Sequence, residues 1–434
     1  MTNDRNEADL IRVLADAADH APALTRDLAG AVRVRTQARR RTHRARVALV
    51  CAAVVAIATS PWAIRGVLPG GSGPEGGVFA GASEAPGTVE VSRRPIPRPV
   101  SEVWPKAVSR IPTKAADGLT YQPAAALSPT TLLLIAESSF ERAARLDTYD
   151  TTTGHSEPLV RLPSPEGRRN YYVQRIEVGT DTIAWWGDVQ DDDTWADFWV
   201  APRTGGTARQ VGEVTGALAK VEGFGVTRDS LVWSVRGGGV YRMPLEGGAP
   251  QPVPRAEGLT LISWPWASDV SLHDDRNQTK LVNLSTGQTL PVNPPEGAEQ
   301  FRCGPVWCSG LTKEGNIVQR VDGSDRRIPS AFSGPSAAPL RMLTTGFLGP
   351  AQGPSPRLSV LYDPETDKAA GFGERTTKDQ GWYGVGRSST LPSVLYTTPK
   401  GIIPKGPDAS EPTCEEKCTT EKYLVVNLLA ILTP

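Results

Sequence analysis

VYRMPLEGG at residues 240–248 is an apolar strand that runs into a proline, a polar step and a glycine turn. The same order returns in LDTYDTTTG (146–154), FWVAPRTGG (198–206), KLVNLSTGQ (280–288), VQRVDGSDR (318–326), SVLYDPETD (359–367) and YLVVNLLAI (423–431). Superposing Asp150, Pro202, Pro244, Asn283, Asp322, Asp363 and Asn427 gives intervals of 52, 42, 39, 39, 41 and 64 residues. Periods of about 40 to 50 residues with several strands each are what the blades of a propeller require. The physical reason is that a small sheet cannot bury both of its faces alone, whereas a ring of sheets buries each face against a neighbour. Seven copies predict an all-β domain folded as a seven-bladed β-propeller, with six or eight blades as the alternatives.

Each copy follows a second apolar run rich in β-branched and aromatic residues: TLLLIAES (131–138), TIAWWG (182–187), SLVWSV (230–235) and SVLYTT (393–398) are examples. These read as blade interior. Outer strands follow the turns in PLVRLPSPEG (158–167), QPVPRAEG (251–258) and TLPVNPPEG (289–297). AVSRIPTKAADG (107–118) is a similar piece that precedes the first full blade, while the last copy stops at Pro434 without an outer strand. The segment around Val103 to Ile111 is therefore expected to complete the final blade. That closure pairs both otherwise open sheet edges. The 43 glycines and 38 prolines agree with many short strands joined by turns.

Upstream of residue 101 the composition changes. The formal net charge is zero, yet residues 1–46 carry ten arginines against six acids, leaving 37 basic and 41 acidic residues in the remainder. VALVCAAVVAIATSPWAI, Val47 to Ile64, is 18 residues long and uncharged, near the lower limit for a helix crossing a bilayer core of ~30 Å. Arg33, Arg35, Arg39, Arg40, Arg41, Arg44 and Arg46 precede it, and Arg65 alone follows closely. The positive-inside rule then places the N-terminus in the cytoplasm and the propeller outside the membrane. A cleaved signal ending at Ala56-Ile57-Ala58 is the alternative, against which the 46 preceding residues argue. A lipoprotein signal at Cys51 has Val50 where a small residue is expected. Residues 65–100 are rich in Gly, Ser and Pro and read as a tether. The organisation expected is a basic helical cytoplasmic segment (1–46), a transmembrane helix (47–64), a linker (65–100) and the propeller (101–434).

Three stretches carry a family resemblance: the Arg-rich flank before VALVCAAVVAIA, VWPKAVSRIPTKAADG after the tether, and DTYDTTTG in the first blade. In them the chain resembles actinobacterial single-pass membrane proteins with WD-repeat-like or TolB-like propeller ectodomains. The absence of lysine before Lys106 and the Ala- and Arg-rich start fit such a source. The resemblance implies architecture and transfers no catalytic residue. Because such proteins are sometimes encoded beside extracytoplasmic-function sigma factors, it also implies an anti-sigma-like role with a cytoplasmic sigma factor as partner. Residues 1–46 depart from that pattern, since they contain no cysteine for the zinc-type anti-sigma motif. Leu10, Leu14 and Ala18 on one helical face, then Leu24, Leu28 and Val32 after Pro22, otherwise suit a juxtamembrane segment on anionic lipid.

Four cysteines beyond the membrane segment form two close pairs, Cys303 with Cys308 and Cys414 with Cys418, and outside the membrane two local disulfides are expected. A zinc site is the alternative, although a zinc-ribbon spacing is lacking. Trp185, Trp186, Trp195 and Trp199, with Trp264 and Trp266, read as packing between blades or as a stacking platform for glycans. Trp195 is the best exposed candidate, because it lies in GDVQDDDTWAD. Asp188, Asp191, Asp192, Asp193 and Asp197 of that loop are oxygen ligands for calcium in one reading, and a solvated acidic hairpin in the preferred one, since the spacing of a calcium loop is missing. His155 and His273 sit in no nucleophile or metal motif, and no glycine-rich loop opens a helix. No catalytic residue, metal site or cofactor is expected. The Arg-rich run is accounted for by membrane topology rather than nucleic acid.

The function expected is a non-enzymatic binding or sensing module, tethered to the bilayer, whose loops contact a protein, peptide or glycan of the cell envelope. An anti-sigma-like regulator and an envelope assembly scaffold are the alternatives. A propeller hydrolase or lyase rests on analogy of fold alone.

Overall fold

The computed structural model describes residues 96–431 apart from 140–141, 169, 191, 272–273, 335–337, 353–354, 356, 375–382, 386–390 and 398–421. The predicted cytoplasmic segment and membrane span, most of the linker, and Cys414 and Cys418 lie outside the described residues. Among the described residues, no helix is long and apolar enough to cross a membrane.

The described strands form seven antiparallel sheets, so the chain is a seven-bladed β-propeller. The first blade takes β2 (Thr120–Ala126), β3 (Thr131–Ser139), β4 (Arg142–Asp150) and β5 (Ser156–Arg161), after β1 (Val108–Pro112). The second takes β6 (Tyr171–Val178), β7 (Thr182–Val189), β8 (Asp192–Pro202) and β9 (Arg209–Thr215); the third takes β10 (Val221–Val226), β11 (Ser230–Val235), β12 (Val240–Pro244) and β13 (Gln251–Pro252). The fourth consists of β14 (Thr260–Ser263), β15 (Trp266–Ser268), β16 (Lys280–Asn283) and β17 (Thr289–Pro291). The fifth has β18 (Glu299–Cys303), β19 (Trp307–Thr312) and β20 (Gly315–Arg320), and the sixth β21 (Arg341–Leu343), β22 (Gly346–Pro350), β23 (Arg357–Asp363) and β24 (Lys368–Glu374). In the last, β25 (Tyr383–Val385), β26 (Val394–Thr397) and β27 (Lys422–Asn427) are completed by β1.

The expected ring closure is present, with β1 pairing β27 from Val108 opposite Val426 to Pro112 opposite Lys422. The strand starts later than Val103 because Val100–Val103 makes one helical turn and Pro105–Ala107 a 3-10 turn. Packing begins earlier, since Val100 is buried and Gly371 donates its N–H to the carbonyl of Arg98 at 2.7 Å. In the fifth blade two isolated bridges to β20, Val318 with Arg327 and Gly315 with Ser333, stand in place of an outer strand. Pro329 follows two residues after Arg327, and a proline cannot donate to a ladder.

The core lies between blades, in seven apolar clusters, one at each junction of the ring. Strand alternation explains how one strand serves two clusters. Leu132 and Leu134 of β3 enter the cluster shared with the last blade, whereas Leu133 and Ile135 enter the one shared with the second blade. All four side chains have no exposed surface, and burial of each contributes roughly 1.5–3 kcal/mol. Ile111, Tyr423 and Val425 of the last blade meet Tyr121 and Leu132 of the first in that same closing cluster. Asn427 adds a polar latch, donating from Nδ2 to the carbonyls of Ser128 at 2.8 Å and Pro129 at 3.0 Å.

Two blades share a brace from the inner strand to the third strand. Tyr121 donates its hydroxyl to Asp147 at 2.8 Å in the first blade, and Tyr171 donates to Asp197 at 2.9 Å in the second. Because the named strands all pair antiparallel, successive connections alternate between the two faces of the ring. Turns from first to second strand and from third to fourth share one face, and they are tight. Asp150 Oδ1 accepts the N–H groups of Thr152 (2.7 Å) and Thr153 (3.0 Å), and Asn283 Oδ1 those of Ser285 (3.0 Å) and Thr286 (3.1 Å). Gly154 and Gly287 end these turns at φ +73° and +75°, which favours glycine. The repeated Asp/Asn-x-x-Thr-Gly pattern is thus an Asx turn. Connections from second to third strand and from blade to blade share the opposite face, which carries the long stretch 269–279.

Candidate binding site on the inner wall

β2 touches β6, β6 touches β10 and β10 touches β14, so the first strand of each of these blades lies innermost. Register shifts interrupt the first strand in each of the first five blades, at Pro123/Ala125, Val173/Arg175, Val221/Gly223, Leu261/Ser263 and Glu299/Arg302. A bulge leaves a residue unopposed and re-aims its side chain. Gln174 and Glu222 are such residues in the second and third blades.

At Glu222 the bulge is held from behind. The N–H of Gly223 donates to Ser234 Oγ at 3.1 Å, and a Cβ on Gly223 would lie 2.4 Å from the carbonyl oxygen of Leu261. Only glycine therefore lets this strand approach the fourth blade. Ser271, from the 269–279 connection, donates its hydroxyl to Glu222 Oε1, while Glu222 Oε2 is buried with no hydrogen-bond partner among the described residues. Arg175 and Glu177 stand two apart on β6 and share a face. Their cross-strand partners Trp186 and Ala184 belong to the cluster between the second and third blades, which puts the pair on the side toward Glu222. Burial pushes the Arg175 guanidinium below its ordinary value, and the carboxylates of Glu177 and Glu222 oppose that shift.

The 269–279 connection is fastened to the fifth blade. Asn277 Oδ1 accepts the N–H of Phe301 at 2.8 Å and its Nδ2 donates to the carbonyl of Ala298 at 2.7 Å. Gln278, fully buried, accepts the N–H of Cys303 at 2.8 Å. Arg302 donates to the carbonyls of Asp274 and Arg276. These contacts fix where Ser271 stands beside Glu222.

The structure scatters most of the side chains that the sequence singled out. Trp195, expected to be exposed, is 4% exposed: Arg168 lies 4.3 Å over its ring and its Nε1 donates to Glu213 at 2.9 Å. The reason is that β8 begins at Asp192, so the polar stretch is strand rather than loop and Trp195 points into the cluster between the first and second blades. Trp185 and Trp186 are buried on opposite faces of β7. Trp264 and Trp266 pack against different clusters and form no common platform. Asp197 has no exposed surface and accepts from Tyr171 and, at 2.7 Å, from Trp199 Nε1. Asp188 accepts from Gln174 Nε2 at 2.6 Å, Asp192 takes the N–H of Thr194 at 3.0 Å, and Asp193 is exposed. Asp191 lies outside the described residues. Burial pushes Asp188 and Asp197 up to about 6, against the hydrogen bonds they accept. Among the described residues, no group of three or more His, Cys, Asp or Glu is placed to hold a metal ion.

Cys303 and Cys308 are disulfide-bonded across β18 and β19, where they face each other in register with Cα atoms 3.9 Å apart. His155 is exposed beside Glu157 at 3.1 Å, and His273 lies outside the described residues. Sequence reading missed Arg175, Glu177 and Glu222. The signal was a charge inside an apolar inner strand, in YYVQRIEV and VEGFGV.

No family model matches the sequence, and no match to a curated protein was found. Solved structures similar to this chain include TolB from Acinetobacter baumannii, 8% identical over 56% of this chain and 63% of that one with a TM-score of 0.35. BamB from Moraxella catarrhalis is 8% identical over 74% and 86%, TM-score 0.36. An oligogalacturonate lyase in complex with manganese is 8% identical over 69% and 75%, TM-score 0.29. Likeness at this level carries neither activity nor ligand to this chain.

Proposed function

We propose that the propeller is a non-enzymatic binding module, anchored to the membrane by residues 47–64 and held outside it, which receives a protein, peptide or glycan of the cell envelope at the face that carries the 269–279 connection. The observation that carries this reading is the charged set on the inner wall. Arg175, Glu177 and Glu222 are half-buried on inner strands whose neighbouring positions are apolar, and charges held partly out of water mark functional sites. Their chemistry suits holding a charged ligand. The disulfide between Cys303 and Cys308 supports an oxidising, extracytoplasmic setting.

The test places a photo-crosslinking amino acid at Asp275 on that face, and at Thr286 on the opposite face, in cells that make the protein. Both positions are exposed. Adducts with an envelope component at position 275 and none at 286 are expected. Equal adducts at both positions, or none at either, would refute the reading.

A further inference from the structure

Two tryptophans of the propeller carry an arginine over the ring, and the two stacks differ in what the guanidinium does with its edge. At the junction of the fifth and sixth blades Arg320 and Arg327 lie 4.6 and 5.3 Å over Trp307. Their donors are spent inside the molecule, those of Arg320 on Asp325 at 2.7 Å and Glu365 at 2.8 Å, that of Arg327 on the carbonyl of Pro364. That stack fastens the blade without an outer strand to its neighbour. At the junction of the first and second blades Arg168 lies 4.3 Å over Trp195. Among the described residues, its guanidinium donates to no carboxylate, carbonyl or hydroxyl.

The ring beneath Arg168 is held still. Trp195 is buried, its Nε1 donates to Glu213 at 2.9 Å, and Glu213 accepts in turn from Gln210 at 3.0 Å. Tyr171 packs edge to face against the same ring, 6.4 Å between centroids. A guanidinium stacked on a fixed ring has its plane set while its donors stay in water. Arg168 is exposed, and it lies on the 162–170 connection between blades, hence on the face that carries residues 269–279. Arg142 is exposed beside it and donates to Asn170 Oδ1 at 3.3 Å, two residues along from Arg168.

The acids of this corner are occupied or solvated. Asp192 feels the charge of Arg168 but is closed by Thr194, whose N–H and hydroxyl donate to it at 3.0 and 2.5 Å. Asp193 faces Lys220 at 3.8 Å, and Glu166 is exposed. Among the described residues none of them pairs with Arg168 or Arg142. A guanidinium with a fixed plane and a free edge fits an anion that offers two coplanar oxygens, the shape of a carboxylate. A single small acid reaches one arginine, whereas carboxylates spaced along a chain reach both.

We propose that this corner of the face, Arg168 on Trp195 with Arg142 beside Asn170, binds the acidic side chains of a peptide segment, one carboxylate seated in the fork of Arg168. The inference rests on the binding-module reading and names an acidic peptide as the partner of that face.

The test is fluorescence anisotropy of labelled hexaglutamate with the full-length chain in detergent, at fixed low salt, with hexaglutamine as the uncharged comparison. Hexaglutamate is expected to bind and hexaglutamine not. Arg168→Gln should weaken hexaglutamate roughly tenfold, the loss of a hydrogen bond between charged groups. Arg168→Lys keeps the charge but loses the fork and the stack, and should still weaken it roughly threefold. Arg320→Gln, in the stack on the opposite face, should leave binding unchanged. Equal binding of the two peptides, wild-type affinity in Arg168→Lys, or an equal loss in Arg320→Gln overturns the inference, and tighter binding of hexaphosphoserine than of hexaglutamate overturns its carboxylate assignment. If hexaglutamate does not bind while position 275 still crosslinks its partner, this inference falls and the binding-module reading stands; if both experiments are blank, both fall.

Discussion

Replacing Tyr171 with phenylalanine should destabilise the propeller more at neutral than at acid pH. The hydroxyl of Tyr171 donates at 2.9 Å to Asp197, whose side chain has no exposed surface and is pushed by burial up to about 6. Burial also raises Tyr171, so the phenol stays neutral and donating throughout. Above about pH 6 the acceptor is a carboxylate, and a hydrogen bond to a charged group contributes about 1.5–3 kcal/mol; below that pH the acceptor is a neutral acid, and the contribution falls to about 0.5–1.5 kcal/mol. Phenylalanine removes only the oxygen, so the loss should be ~2 kcal/mol near pH 8 and ~1 kcal/mol near pH 5. The sign follows from proton binding. Asp197 is raised above its ordinary 3.8, so between there and about 6 the native state holds more protons than the unfolded chain and stability falls as pH rises. Losing a donor raises Asp197 further and steepens that fall. Asp188 titrates in the same window in both proteins and cancels in the difference. Urea denaturation of wild type and Tyr171→Phe, followed by tryptophan fluorescence at both pH values, measures it. An equal loss at the two pH values, or a larger loss in acid, would refute the reasoning.

Three further outcomes follow from the packing. Gly223→Ala should cost about 1–3 kcal/mol, since its Cβ would meet the carbonyl of Leu261 at 2.4 Å; an unchanged melting temperature would show that the third and fourth blades separate easily. Ile111→Ala, at a position with no exposed surface in β1, should cost about 2–5 kcal/mol and so lower the melting temperature of the whole ring, whereas a change confined to the N-terminal segment would deny that β1 closes it. Cys303→Ser combined with Cys308→Ser should lower stability by about 2 kcal/mol, the entropy of so short a loop, and thiol reagent should label neither cysteine of the native wild type.

What the sequence shows depends on how a strand earns its pattern. The second strands are buried on both faces, so TLLLIAES and SLVWSV are continuous apolar runs with no other good reading. The third strands end in Asx turns whose Asp, Asn and Gly residues are required by local geometry, which is why the repeat is visible at 150, 283 and 363. The disulfide at Cys303 and Cys308 is legible for the same reason, because a five-residue separation is itself the turn. Inner strands carry no comparable signal. In the first five blades they are bulged, and one of them, VEGFGV, is interrupted by glycine, so their own alternation is broken. Trp195 was misread for the converse reason: acidic neighbours suggested a loop, yet Asp197 is turned inward to Tyr171 and Trp199 and the strand runs through.

This difference bears on where function is placed. A second or third strand that took up a charged ligand-binding residue would break one of two apolar clusters, because each of its positions serves one face or the other. An inner strand faces a neighbour across a narrower wall, and a bulge adds one residue that belongs to neither face. Glu222 occupies such a residue, and Ser234, fully buried behind it, satisfies the Gly223 amide that the bulge withdraws from the ladder. In the third blade the ring thus admits a charge at a bulged position, and its apolar junctions stay intact. Changing Glu222 should therefore alter binding with little effect on stability, whereas changing Trp233 or Phe224, buried a few residues away in the same blade, should do the reverse.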